Sequence, residues 1–281
     1  MANMLFGWPN RVDGATISGG SWTGLDNIKD RDSYRLARST ATTTAATKFS
    51  IDLTTTDYSI KAVSLHHHNL KSNALWRVTV GTTNGGSELY DSGFVSVWSV
   101  MFDLDINQFE EGAYWPELID NNNASSHFSI INTFGNTPLS ARYITIEIND
   151  VGNTDGFVEI GRIGVWSGFS PAVNAAWGAQ YSWDDLSDVS FSNSGEFNYR
   201  KRRSKRTANL SFKWATDSEA ATFYEFMRRV GLTGETMFIP DPADLAHSQR
   251  YGFRAKLRKL GALEKTSLDV NTVEIQAEEL L

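Results

Sequence analysis

The chain of 281 residues contains no cysteine, only five histidines and six prolines, and fewer cations than anions. Without cysteine there are no disulfides, no thiolate metal sites and no cysteine nucleophile. Stability is then independent of the redox state of the surroundings. No apolar run reaches membrane-spanning length. The segment Met1-Ala2-Asn3-Met4-Leu5-Phe6-Gly7-Trp8-Pro9 lacks a basic stretch followed by an apolar core. Neither a signal peptide nor a transmembrane helix is expected, and no membrane contact. With 26 Lys and Arg against 33 Asp and Glu, the formal net charge is −7. An acidic chain does not advertise a phosphate-backbone surface, so direct nucleic-acid binding is not expected. The Gly-x-Ser-x-Gly elbow, the Walker A loop and the dinucleotide fingerprint are all missing.

What is present is a generous set of rings, nine Trp, nine Tyr and sixteen Phe, within 41% hydrophobic residues. Rings suit sheet faces and interfaces, where one side is apolar and the other meets a partner. Residues up to about Gly168 read as short strands between Gly, Asn, Asp and Thr clusters. In Tyr143-Ile144-Thr145-Ile146-Glu147-Ile148 the isoleucines alternate at period two. A dense turn signal, Asn149 to Gly156, precedes a strand from Phe157 to Trp166. Thr47–Leu53, Ile60–His66, Leu75–Val80 and Val97–Leu104 are earlier candidates. Such spacing predicts a sandwich or jelly roll.

Ser167 to Ala179 carries Gly168, Pro171, Gly178 and small residues, and reads as a linker. Beyond it, Val189–Tyr199 and Ala208–Trp214 read as two strands flanking the basic run Arg200–Arg206, which is expected at a solvated hairpin tip. A helix over about 217–230 follows. Thr216 and Glu219 have capping-box spacing, while Ala220, Phe223, Met227 and Val230 share a face. Arg228 and Arg229 suit the negative end of its dipole, and Gly231 suits its C-terminal cap. A Pro240-Asp241-Pro242 turn and strands at Met237–Ile239, Phe253–Arg258 and Val273–Ala277 complete the chain.

The chemistry-bearing groups are each outweighed by a plainer reading. Consecutive residues of a strand point to opposite faces, so His66, His67 and His68 cannot converge on one ion. The pairs Asp103/Asp105, Glu110/Glu111 and Asp184/Asp185 are sequence neighbours. Glycoside hydrolysis instead needs carboxylates at a set separation across a cleft. Trp76, Trp98, Tyr114 and Trp115 are candidate sugar-stacking platforms, although most sandwich tryptophans pack the core. No catalytic, cofactor-binding or metal-ligating residue is assigned, and no enzyme activity is expected.

Several stretches resemble tail proteins of tailed bacteriophages that carry a galactose-binding-like jelly roll. Asn10-Arg11-Val12-Asp13-Gly14-Ala15, then Ser18-Gly19-Gly20-Ser21-Trp22, Leu25 to Arg31 and Ala37-Arg38-Ser39 look like the opening of such a module. His68-Asn69-Leu70 ahead of Trp76-Arg77-Val78 is similar to its strand-turn-strand signature. Arg142 to Ile148 with Asp155 to Arg162 look like its closing strands. The remainder is similar in element order to tail-tube and distal-tail domains.

The resemblance implies a mainly β fold. A galactose-binding-like β-sandwich would occupy 1–168 and a linker 169–179. A tail-tube-like β-sandwich or barrel with one packed helix would occupy 180–281. It further implies a structural virion protein of the phage tail, made in the host cytoplasm. As a distal tail or baseplate component, copies of the chain would form a homo-oligomeric ring, a hexamer among the sizes expected, joining tail tube to tip. Its partners would be tube and hub proteins. The alternative is a receptor-binding or carbohydrate-binding tail protein that recognises host-surface glycan.

Overall fold

A computed structural model describes residues 3–55, 58–98, 129–134, 137–191 and 196–281. The chain divides into two compact units. Unit 1 comprises Met1–Phe169 with Ile239–Gly252, and unit 2 comprises Ser170–Phe238 with Phe253–Leu281. Residues 180–281, expected as one continuous domain, are thus interrupted, because 239–252 pack with unit 1.

Unit 1 contains fourteen strands in chain order. They are β1 (Leu5–Asn10), β2 (Thr16–Ser18), β3 (Trp22–Thr23), β4 (Ala37–Ser39), β5 (Phe49–Asp52), β6 (Ser59–Ile60) and β7 (Ala62–His68). Next come β8 (Leu75–Gly81), β9 (Tyr90–Asp91), β10 (Val95–Ser96), β11 (Ile130–Thr133), β12 (Leu139–Ser140), β13 (Tyr143–Asn149) and β14 (Glu159–Phe169). Two antiparallel sheets face each other. One has the order β11-β7-β14-β1, with β4 also on β14. The other has the order β10-β8-β13-β5-β2. Successive long strands β5, β7, β8, β11, β13 and β14 switch sheet at every step. That is the path of a jelly-roll sandwich.

The core is what period two predicts. Ile144, Ile146 and Ile148 on β13 and Trp76, Val78 and Val80 on β8 are buried against Val63, Leu65, Ile163 and Val165 of the opposite sheet. Direct pairing of Ile148 with Trp76 and Ile146 with Val78 sets the register. A one-residue slip would turn every one of these outward. Of the predicted strand Val97–Leu104, Val97 and Trp98 follow β10 as buried residues, and 99–104 lie outside the described residues.

Unit 2 is built on β15 (Gln180–Asp185), β16 (Asp188–Phe191), β17 (Phe197–Arg200), β18 (Ser204–Ala215), β19 (Thr236–Ile239), β20 (Phe253–Lys259), β21 (Leu263–Ser267) and β22 (Val270–Glu279). Its sheet runs β19-β20-β22-β18-β15, with β21 also on β22. Closure into a barrel is not among the described pairings. The α-helices in chain order are α1 (Thr44–Thr47), α2 (Asp217–Val230) and α3 (Leu245–Tyr251). Of these, α1 and α3 belong to unit 1.

Helix α2 starts where the sequence says. Thr216 accepts from the Glu219 N–H, and the Glu219 carboxylate accepts from the Thr216 N–H at 3.1 Å. Two orphan donors of the first turn are thereby satisfied. Ala220, Phe223, Phe226, Met227 and Val230 are buried, and Phe223 lies 4.8 Å from the Phe212 ring of β18. Gly231 has positive φ (58°) with ψ −161°, outside the left-handed helical cap that was expected.

The strand predicted over Val189–Tyr199 is in fact a hairpin. Val189 pairs with Tyr199 and Phe191 with Phe197, β16 running antiparallel to β17. The connection 192–196 is Ser-Asn-Ser-Gly-Glu, a turn composition overlooked inside an apolar alternation. This corrects the placement of Arg200–Arg206 as well. The run is not a tip: it continues from the end of β17 into β18. Acids neutralise much of it. Arg202 pairs with Asp188 at 2.6 Å, Lys205 with Glu278 at 3.0 Å, and Arg206 with Glu279 in a pair that is almost fully buried.

Candidate binding sites

The histidine triplet is structural. All three rings are buried, and His67 has φ +53°, so the alternation of β7 is broken there. The bulge leaves Gly161 against His67. A Cβ at Gly161 would sit 2.8 Å from the His67 Cβ and 2.3 Å from the Ser33 carbonyl oxygen. His66 bridges Ser64 Oγ and Ser129 Oγ, both at 2.8 Å, and Ser64 in turn accepts from Trp166 Nε1 at 2.7 Å. His68 accepts the Leu70 N–H and packs 5.5 Å from Trp98. Buried polar atoms thus have hydrogen-bond partners, as burial demands. Among the described residues no group of three or more His, Asp or Glu side chains could hold a metal ion.

The proposed sugar platforms fare differently from expectation. Trp76 and Trp98 are 2% and 1% exposed, so neither offers a ring face to solvent. Trp115, Tyr114 and the acids Asp103, Asp105, Glu110 and Glu111 lie outside the described residues. Asp184 and Asp185 stand on β15. Lys205 lies 3.7 Å from Asp184, and the carboxyl of Asp185 is lowered by hydrogen bonds from Ser187.

Two other features present recognition surfaces. The first is a cavity of about 310 Å³ in unit 1, lined by Trp76, Tyr90, Asn132, Thr133, Pro242, Gln249 and neighbours on β10. Strands β8, β9 and β11 supply one wall and the 239–252 segment another. Three hydrogen bonds hold it in shape: Tyr90 OH donates to Asn132 Oδ1 at 2.9 Å, Thr133 Oγ1 to the Pro242 carbonyl at 2.8 Å, and Gln249 Nε2 to the Val97 carbonyl at 2.8 Å. Tyr90 also packs edge-on to Phe134 at 4.7 Å. Burial raises the Tyr90 phenol above its ordinary range, so it stays a neutral donor. No carboxylate, imidazole, Lys or Arg is among the lining residues. The wall is aromatic and aliphatic with hydroxyl and amide groups, a composition that binds neutral polar ligands.

The second is the hairpin β16–β17. Every residue of both strands is exposed. One face carries Val189, Phe191, Phe197 and Tyr199, with Phe197 4.7 Å from Phe191 and stacked 5.9 Å from Tyr199.

No family model matches the chain, and no curated protein does. Solved structures do. One is a carbohydrate-binding module, CBM32-1, from a family 31 glycoside hydrolase of Clostridium perfringens. It shares 16% identity over 57% of this chain and 99% of that chain, with a TM-score of 0.34. Another is the family 32 module of Clostridium perfringens NanJ in complex with galactose, at 13% identity, 58% and 99% coverage, and a TM-score of 0.35. A third is a family 89 glycoside hydrolase from Clostridium perfringens in complex with PUGNAc, at 13% identity and a TM-score of 0.33. The match covers 79% of this chain and 18% of that enzyme. At these values no residue role is carried over.

Proposed function

We propose that the protein is a non-catalytic binding protein whose unit 1 recognises a neutral glycan in the cavity between β8, β9, β11 and the 239–252 segment. The observation that carries this reading is the cavity wall itself. Its volume of about 310 Å³ suits one or two sugar rings. Trp76 and Tyr90 supply apolar surface for sugar C–H groups. The Asn132 amide, the Thr133 hydroxyl and the Gln249 amide supply the donors and acceptors that hydroxyls require. Hydrolysis would need two carboxyl groups across the cleft, whereas the lining has none.

Titration calorimetry of the full chain against a panel of neutral mono- and oligosaccharides tests it. Binding should weaken at least about tenfold in Tyr90→Phe, which removes one buried hydroxyl partner. Failure of every sugar to bind at millimolar concentration would sink the reading.

A second reading is a structural component assembled from copies of itself, as the resemblance to phage tail proteins implies. The exposed aromatic hairpin of unit 2 favours it. Its place in a virion, the ring and the tube and hub partners remain proposals of that reading, and cross-linking within intact particles would test them.

A further inference from the structure

The hairpin β16–β17 extends the β15–β18 pair of unit 2. The strand 180–191 runs outward and 197–215 returns, so the two form one arm. Two strands of four residues are marginal in water unless something covers a face. Here the apolar face is open: Val189 is 52% exposed, Phe191 67%, Phe197 55% and Tyr199 71%. Contiguous exposed aromatic surface of this kind marks an interaction site.

Charge says what covers it. Between 184 and 203 the arm holds four acids, Asp184, Asp185, Asp188 and Glu196, and four bases, Arg200, Lys201, Arg202 and Arg203. Three of the acids lie on the outgoing strand, and all four bases on the returning one. A phosphate backbone, an anionic membrane or a polybasic segment would meet like charge on one strand. A second arm, turned about a two-fold axis parallel to the strands, meets opposite charge on both. Its outgoing strand then lies over the first arm's returning strand.

Area agrees with a reversible contact. The four apolar side chains would cover on the order of 400–500 Å² per copy, about half of the ~800 Å² per partner in standard interfaces. Tyr181 and Trp183 on β15, 40% and 58% exposed, extend the same strand's apolar surface.

We propose that the arm is a self-association site. It packs face to face with the arm of a second copy, segment 184–188 of each lying over 200–203 of the other. This two-fold contact is isologous and closed. It does not depend on glycan binding, and it supplies the assembly reading with a surface.

Sedimentation velocity of the full chain from about 1 to about 100 µM, the range for an interface of this size, reads the contact directly. The wild type should shift from monomer to dimer with concentration. The double variant Phe191→Ser, Tyr199→Ser should remain monomeric with unchanged far-UV circular dichroism. Variant Arg200→Glu, Arg203→Glu and variant Asp185→Lys, Asp188→Lys should each self-associate at least tenfold more weakly, while an equimolar mixture of the two should recover a dimer. A wild type that stays monomeric throughout overturns the proposal. So does a Phe191/Tyr199 variant that dimerises like wild type, or a mixture that fails to associate. Sugar titration of the monomeric variant separates this from the glycan reading, because it should bind sugar as wild type does.

Discussion

Strand β7 in unit 1 and hairpin β16–β17 in unit 2 are both rich in rings, yet their surroundings are opposite. All seven residues of β7 are buried, including three consecutive histidines, whereas all eight of the hairpin are exposed. The charge differs too. Unit 1 carries 12 Lys and Arg against 20 Asp and Glu, while unit 2 carries 14 against 13. Ring content therefore does not by itself say whether a segment is core or contact surface. What decides is whether a strand has neighbours on both edges and cover on both faces. Strand β7 lies between β11 and β14, but β16 and β17 pair only with each other among the described residues.

The comparison breaks most visibly if Trp166 is truncated. Its side chain is fully buried and donates to Ser64. Trp166→Ala should cost about 3–5 kcal/mol in denaturant unfolding of unit 1. In unit 2 a comparable loss, about 3–5 kcal/mol, is expected of Arg206→Met, which strands Glu279 without its buried partner. The double variant Arg206→Met, Glu279→Met should recover most of it. A double variant no better than the single one would show that the pair does not act as a unit. Next in size, Thr216→Ala should lower unit 2 stability by about 1 kcal/mol through loss of the α2 cap. Tyr199→Ser, at an open face, should change monomer stability by no more than about 0.5 kcal/mol.

Two carboxyls of unit 1 sharpen the contrast by pH. Arg77 holds Asp91 down to about 2 through a two-pronged hydrogen bond that ties β8 to β9. Its contribution is complete above the ordinary value of 3.8 and disappears as pH falls through about 2. Asp150 is shifted upward, chiefly by burial. It therefore favours folding when protonated, and that advantage fades as pH rises from 3.8 through its folded value. Carbon-13 carboxyl titration by NMR should place the two midpoints on opposite sides of 3.8. Both on one side would refute the assignment of causes.

The elements that could be read ahead of the structure are those with local punctuation. Ile144, Ile146 and Ile148 with the Asn149–Gly156 turn, and Thr216 with Glu219, carry period or cap within a few residues. The hairpin was misread because Phe191 and Phe197 straddle a turn short enough to pass for part of one alternating strand. Helix α3 and strand β21 were missed: seven and five residues leave little room for a period. The cavity was invisible for a different reason. Its walls come from β8, β9, β11 and residues after 239, so no sequence window holds Tyr90, Asn132 and Gln249 together. The buried state of Trp76 depends likewise on pairing with Val95 and Ile148, a property of register and not of composition.

The excursion of 239–252 into unit 1 governs the order in which the molecule can be completed. A ribosome has to deliver residue 252 before the wall holding Pro242 and Gln249 exists, and by then α2 and the arm have already emerged. Unit 1 is thus finished late, although its first strand is made first. Truncation after residue 169 would produce a sandwich with one side of its cavity missing, so a ligand-binding defect in such a fragment would report on the cut and not on the sugar.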